Sequence, residues 1–260
     1  MAGACVYCGT DERITDEHAM PDWIRRRLGL EGPATLQVEG LPVETRPRLE
    51  TLLHGVCEGC NGRWSNVEQK VAKWIGKSMR TPSTPFRLDP HQRQVTATWA
   101  VKTALMLELA LSKHRQRSFA PVSQLNWLYN HSRYPVPPPG CRVWLFGTEV
   151  SVAPFYPTTT SATVLDHGPD VPDAYLATFT AGCVGFQVFG PDVVESPPVI
   201  DPPAQFQAKM KRIWPAEGSY RWPPAEHFMA KELFHVADWM HGESPHRPAW
   251  ADLPDSFPIG

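Results

Sequence analysis

Residues 5–23 read CVYCGTDERITDEHAMPDW, and residues 57–64 answer them with CEGCNGRW. Each stretch carries a Cys-x-x-Cys turn, which brings two sulfurs to one point. Together Cys5, Cys8, Cys57 and Cys60 can supply four thiolates to a single tetrahedral Zn(II). The 48 residues between the pairs, Gly9 to Val56, are too many for a minimal ribbon, so the insertion must hold structure of its own. The first pair forms a knuckle before a short strand near 13–18, and the second sits directly before a helix. That order of knuckle, hairpin and helix is the treble-clef plan. Six cysteines in 260 residues are too few for a disulfide scaffold, and their paired spacing favours metal over redox use. The other two, Cys141 and Cys183, stand alone in apolar runs and are expected in the core.

A tetrathiolate ion is closed and therefore structural, so chemistry requires a second centre. DEHAMP offers the parts. Glu17 can give an oxygen to a hard cation such as Mg(II), and His18 can act as a general base. Consecutive strand residues point to opposite faces, so both can serve one ion only if the strand twists locally; otherwise Glu17 orients rather than ligates. Asn61, directly after the last thiolate, can add its carbonyl oxygen. Glu68, two turns further along the same helix, is an additional ligand or an i,i+4 partner that caps or pairs with a lysine.

These residues resemble the zinc-bearing branch of the HNH endonuclease family, whose pattern is C-x-x-C, then (D/E)-H-x-x-P, then C-x-x-C-(H/N). The matches are CVYC at 5–8, EHAMP at 17–21 and CEGCN at 57–61, with EHxxPxW and CNxxW as longer matches of a bacterial and phage subgroup. The resemblance implies a ββα-metal fold with structural zinc over residues 1–80, and hydrolysis of DNA phosphodiesters, double-stranded DNA being the expected substrate. His18 would activate water, while Mg(II) or Mn(II), held by Glu17 and Asn61, would stabilise the charge developing on the phosphate. The family usually carries a further Asn between these halves. Residues 19–56 contain none, leaving His54 or Glu50 as substitutes.

Charge is spread unevenly along the chain. The net values are −4 over residues 1–60, +8 over 61–117 and −6 over 118–260. A basic middle segment suits a polyanion. Arg25, Arg26, Arg27, Arg63, Lys70, Lys73 and Lys77 are the candidate contacts, with Arg80 beside them; such residues read backbone charge rather than sequence. Trp23 and Trp64 are expected to pack the small domain. The alternative to a nuclease is a zinc-stabilised nucleic-acid or protein-binding module without catalysis.

Two helices are legible within residues 1–80, and beyond them the pattern is coarser. PDWIRRRLG predicts a helix from Pro21 that Gly29 ends, and the apolar stripe Trp64, Val67, Val71, Trp74, Ile75 predicts an amphipathic helix. Residues 81–94 read as a linker. A buried helix is expected over 95–113, then strands at 141–147, 176–180 and 184–189 and a last helix near 226–240, making 95–260 a second α+β unit of unknown type that positions DNA or binds a partner. No early apolar run or membrane-length segment is present, so a cytoplasmic location is expected.

Overall fold

The computed structural model describes residues 4–32, 34–36, 44–46, 52–111, 120–149, 157–162, 174–192, 201–229, 232, 233 and 236. The fold is mixed helix and sheet. The knuckle comes first, closed by Gly9 N–H donating to Cys5 O (2.8 Å) and Cys5 N–H to Thr10 O (2.6 Å). Strand β1 (Ile14–His18) pairs antiparallel with β4 (Leu52–Cys57). Between them lie helix α1 (Asp22–Leu28) and the small hairpin β2 (Ala34–Leu36) with β3 (Glu44–Arg46). Gly29 ends α1 in the left-handed region, φ +75°, where a residue without Cβ is at ease.

The β1–β4 register slips between Thr15 and Asp16, so that Thr15 faces Val56 while Asp16 faces His54. Gly55, φ +153°, is the extra residue in β4. This bulge reverses the alternation of β4, turning Leu53 and Val56 alike toward the core. From β4 the chain passes straight into α2 (Glu58–Ile75), whose buried stripe Cys60, Trp64, Val67, Val71, Ile75 follows the predicted helical period.

The expected linker is ordered structure. Strand β5 (Phe86–Leu88) pairs with β11 (Tyr220–Trp222), and α3 (Pro90–Leu111) begins five residues before the expected start. Asp89 accepts the Gln92 N–H (2.8 Å) and Gln92 accepts the Asp89 N–H (3.0 Å), a reciprocal cap with Pro90 at the first helical position. The first unit and the rest share one core: Val56, Trp64, Val71, Trp99, Leu105, Val143 and Phe186 belong to a single buried cluster. The boundary near residue 80 is therefore a turn in the chain rather than a break in packing.

Helix α4 (Val122–Asn130) was not anticipated. It precedes a five-stranded antiparallel sheet ordered β10 (Met210–Trp214), β6 (Arg142–Gly147), β9 (Val184–Pro191), β8 (Ala174–Ala181), β7 (Pro157–Ala162). One face packs on α3; the other carries a separate cluster of Trp144, Phe146, Leu176, Phe189, Phe206, Met210 and Phe228. Sandwiched on both faces, β8 and β9 are buried at every position, which is why they lack polar alternation. Of the expected last helix, Glu226 to Met229 are not helical, and Phe228 instead bridges to Thr148; Glu232, Leu233 and Val236 are helical. Among the described residues no helix is long and apolar enough to cross a membrane.

Candidate metal centre and the polar cluster beside it

The four knuckle sulfurs converge. The Sγ atoms of Cys5, Cys8, Cys57 and Cys60 all lie within 4.8 Å of one another, with Cys8 and Cys57 at 3.6 Å. Zn–S bonds of about 2.3 Å in a tetrahedron place sulfurs about 3.8 Å apart, so the donor set fits zinc in kind, number and spacing. Three local features bring them there. Cys57 is the residue entering α2, and Cys60 lies in its first turn. Val6 N–H donates to Gly55 O (2.9 Å), tying the knuckle to β4, and Glu58 N–H donates to Arg13 O (3.0 Å), tying α2 to β1. Burial works to raise the Cys5 thiol, yet backbone N–H groups of Cys57, Cys8 and Tyr7 aimed at its sulfur outweigh that and hold it at about 7. Burial pushes the Cys60 thiol up, and its neighbouring sulfurs add to the rise. Cys141 and Cys183 are buried in the core as expected, their thiols raised by burial.

Strand alternation then splits the DEH segment. Glu17 and Leu53 face inward, 4% and 5% exposed, whereas Asp16, His18, Leu52 and His54 face outward. On the outer side Asp16 Oδ1 and His54 Nδ1 lie 2.8 Å apart, both about half exposed. His18 is half-buried and makes no hydrogen bond among the described residues. Nearby, burial works to raise the Asp22 carboxyl, but the Arg25 hydrogen bonds and the Arg25 and Arg26 charges outweigh it and hold it below its ordinary value.

On the inner side the other motif residues meet something the sequence reading passed over. Lys102, from α3, is fully buried, and its ammonium bonds the Glu17 carboxylate and Glu68 Oε1 (2.9 Å). Desolvation works to lower its pKa, but the two carboxylates more than compensate and raise it, so it is a fixed cation. Tyr7, wholly buried and pushed up by that burial, lies within electrostatic range of all three, and its hydroxyl has no hydrogen-bond partner. Asn61 Nδ2 donates to Thr15 Oγ1 (3.3 Å) on this side of the hairpin. The signal for Lys102 was a lone lysine inside WAVKTALML, an otherwise apolar and buried run: a charge there requires a partner.

This arrangement does not fit a Mg(II) or Mn(II) ion held by Glu17 beside His18. The Glu17 carboxylate already holds a buried ammonium, and the imidazole is on the opposite face of the strand. Of the two options left by the sequence, the local twist is absent between Asp16 and His18. Glu68 pairs with Lys102 of α3, 34 positions away, rather than at i,i+4 on its own helix, and so is not a free ligand. His54 meets the histidine-bearing strand at Asp16, while Glu50 lies outside the described residues.

The basic candidates divide as well. Arg25 is buried, with its guanidinium bound to Asp22 (3.0 and 2.6 Å) and Glu31, so it braces α1 and cannot face a phosphate. Arg26 is exposed and pairs with Asp22 at 3.2 Å. Arg63 is exposed, with its guanidinium 5.5 Å from the centre of the Tyr129 ring. Lys70, Lys73 and Lys77 are exposed along α2. A surface cleft of about 330 Å³ is lined by Trp23, Arg26, Arg27, Ala72 and Arg80, and among the described residues Arg27 and Arg80 pair with no carboxylate. Trp64 packs on Tyr7, and Trp23 on Trp99, with ring centres 6.0 and 5.9 Å apart, so both tryptophans are structural as expected.

Fold and site thus define a mixed helix-and-sheet (α+β) protein with a four-cysteine centre able to hold a structural metal such as zinc. No protein-family model, curated protein or solved structure matches the chain.

Proposed function

We propose that this chain is a zinc-clamped endonuclease of the HNH type that hydrolyses phosphodiester bonds in DNA, with His18 as the general base. The observation supporting it is the clamp: the four sulfurs join the knuckle to the start of α2 around the β1–β4 hairpin, and that hairpin carries on its outward face an imidazole with no hydrogen bond among the described residues. A base needs a free nitrogen, partial exposure and a rigid mount, and His18 has all three. Arg27 and Arg80 in the cleft at the far end of α1, with Lys70, Lys73 and Lys77, supply positive charge for the flanking backbone. A divalent ion, when bound, would supply Lewis-acid stabilisation of the phosphate; Glu17, held by the Lys102 ammonium, is not available to hold it.

The test is incubation of the zinc-loaded protein with supercoiled plasmid across divalent ions, beside His18→Ala. The expected result is nicking or cutting that falls by about 10²-fold or more in the variant, the size of a lost general base, with zinc content unchanged. Full activity in His18→Ala refutes the assignment. The Lys102 ammonium on Glu17 favours a second reading, a non-catalytic zinc module that binds DNA. It requires salt-dependent binding without turnover under any ion, and cutting that tracks His18 excludes it.

A further inference from the structure

The inner cluster has the composition of a divalent-cation site already occupied by a side chain. Two carboxylate oxygens meet at one point, one from Glu17 and one from Glu68. They come from β1 and α2, the elements that lie against the four-cysteine centre. The body at that point is Lys102 Nζ, delivered from α3 with no exposure to solvent. Two carboxylates around one centre are what a hard cation such as Mg(II) or Mn(II) selects. An ammonium satisfies the same charge with three donors and no exchange with solvent.

We propose that Glu17 and Glu68 form a divalent-cation site that the chain plugs with its own Lys102, so that the protein takes no divalent ion at Glu17. The plug also couples the halves of the molecule, because the ammonium that neutralises the motif carboxylates comes from the helix under the large sheet. A lysine is a permanent occupant: it cannot dissociate, and it offers no open position for water or phosphate. The inference goes beyond the hydrolytic reading and stands whether or not the chain cuts DNA. If His18 does work with an ion, that ion's ligands lie on the outward face of the hairpin.

The experiment is a Mn(II) titration of the zinc-loaded full chain, followed by the electron paramagnetic resonance signal of free Mn(II). Wild type, Glu17→Gln, Lys102→Met and the double variant Lys102→Met/Glu17→Gln are compared. Wild type and Glu17→Gln should give the same isotherm. Lys102→Met should gain one Mn(II) per chain, bound at least tenfold more tightly than any wild-type site, and the double variant should lose it. A wild-type site that Glu17→Gln removes overturns the proposal, because an ion then displaces or joins the ammonium. So does a folded Lys102→Met protein with no added site. Should Lys102→Met fail to fold in buffer, Mn(II) at millimolar concentration is expected to restore its thermal transition while leaving wild type unmoved, by preferential binding to the folded chain. Failure of Mn(II) to restore it counts against the proposal equally.

Discussion

Replacing Lys102 by Met removes a positive charge from between two carboxylates and shortens the side chain by the one atom that stood there, keeping its apolar stem. The cost follows from the exposures. Lys102 is 0% exposed, Glu17 5% and Glu68 16% by side chain, so Glu17 cannot recover solvation from water while Glu68 can in part. Breaking a buried ion pair by deleting one partner costs about 3–5 kcal/mol, because the remaining charge is left in a poorly polarisable interior. For a chain of this size about 2–4 °C of melting temperature is lost per kcal/mol, giving a fall of about 6–20 °C. Neutralising the stranded carboxylates should return most of this, since a buried ion pair replaced entirely by neutral groups is often no less stable. The order of recovery is the sharper expectation: Glu17→Gln in the Lys102→Met background restores more than Glu68→Gln does. Urea denaturation of the zinc-loaded proteins without added divalent ion, at fixed salt, reads the series. A loss under about 1 kcal/mol for Lys102→Met, or equal recovery by the two glutamine variants, would refute the claim that Glu17 is the desolvated partner.

Zinc removal should matter on a comparable scale. Cys8 and Cys57 are 49 positions apart, and a cross-link closing a loop of about 50 residues stabilises by about 4 kcal/mol through the unfolded chain alone. A strong chelator should therefore lower the unfolding midpoint and open residues 9–56 to protease; an unchanged midpoint after full zinc loss would contradict the clamp. Arg27→Ala/Arg80→Ala should weaken DNA binding and flatten its salt dependence by about two counterions, whereas Arg25→Ala should leave the salt slope alone and act on stability. Asp22 is held low in the folded state by Arg25, so its stabilisation is complete above the ordinary carboxylate pKa and disappears as pH falls through the lowered value. Asp22→Asn should therefore narrow the stability gap to wild type on acidification, which a pH series of melts would show.

The four-cysteine centre was legible in the sequence because it depends on two local turns. Each Cys-x-x-Cys pairs its own sulfurs, and only one distance, between the pairs, had to come from the fold. Helices α1 and α2 were legible for the same reason: Gly29 and the stripe from Trp64 to Ile75 act over a few residues. The start of α3 was missed because its cap, Asp89 with Pro90 and Gln92, lies in what reads as a proline-containing linker.

Amino-acid order alone therefore determined which residues could meet a metal, and that His18 and Glu17 must part on a regular strand. Only the tertiary structure decided what each then meets. Glu17 is turned inward by strand alternation onto a lysine 85 positions away, and Arg25 is bent back onto Asp22 and Glu31. Those outcomes depend on the packing of α3 against the hairpin and α2, an arrangement set by burial of apolar surface across the whole core, to which no short stretch of chain gives access.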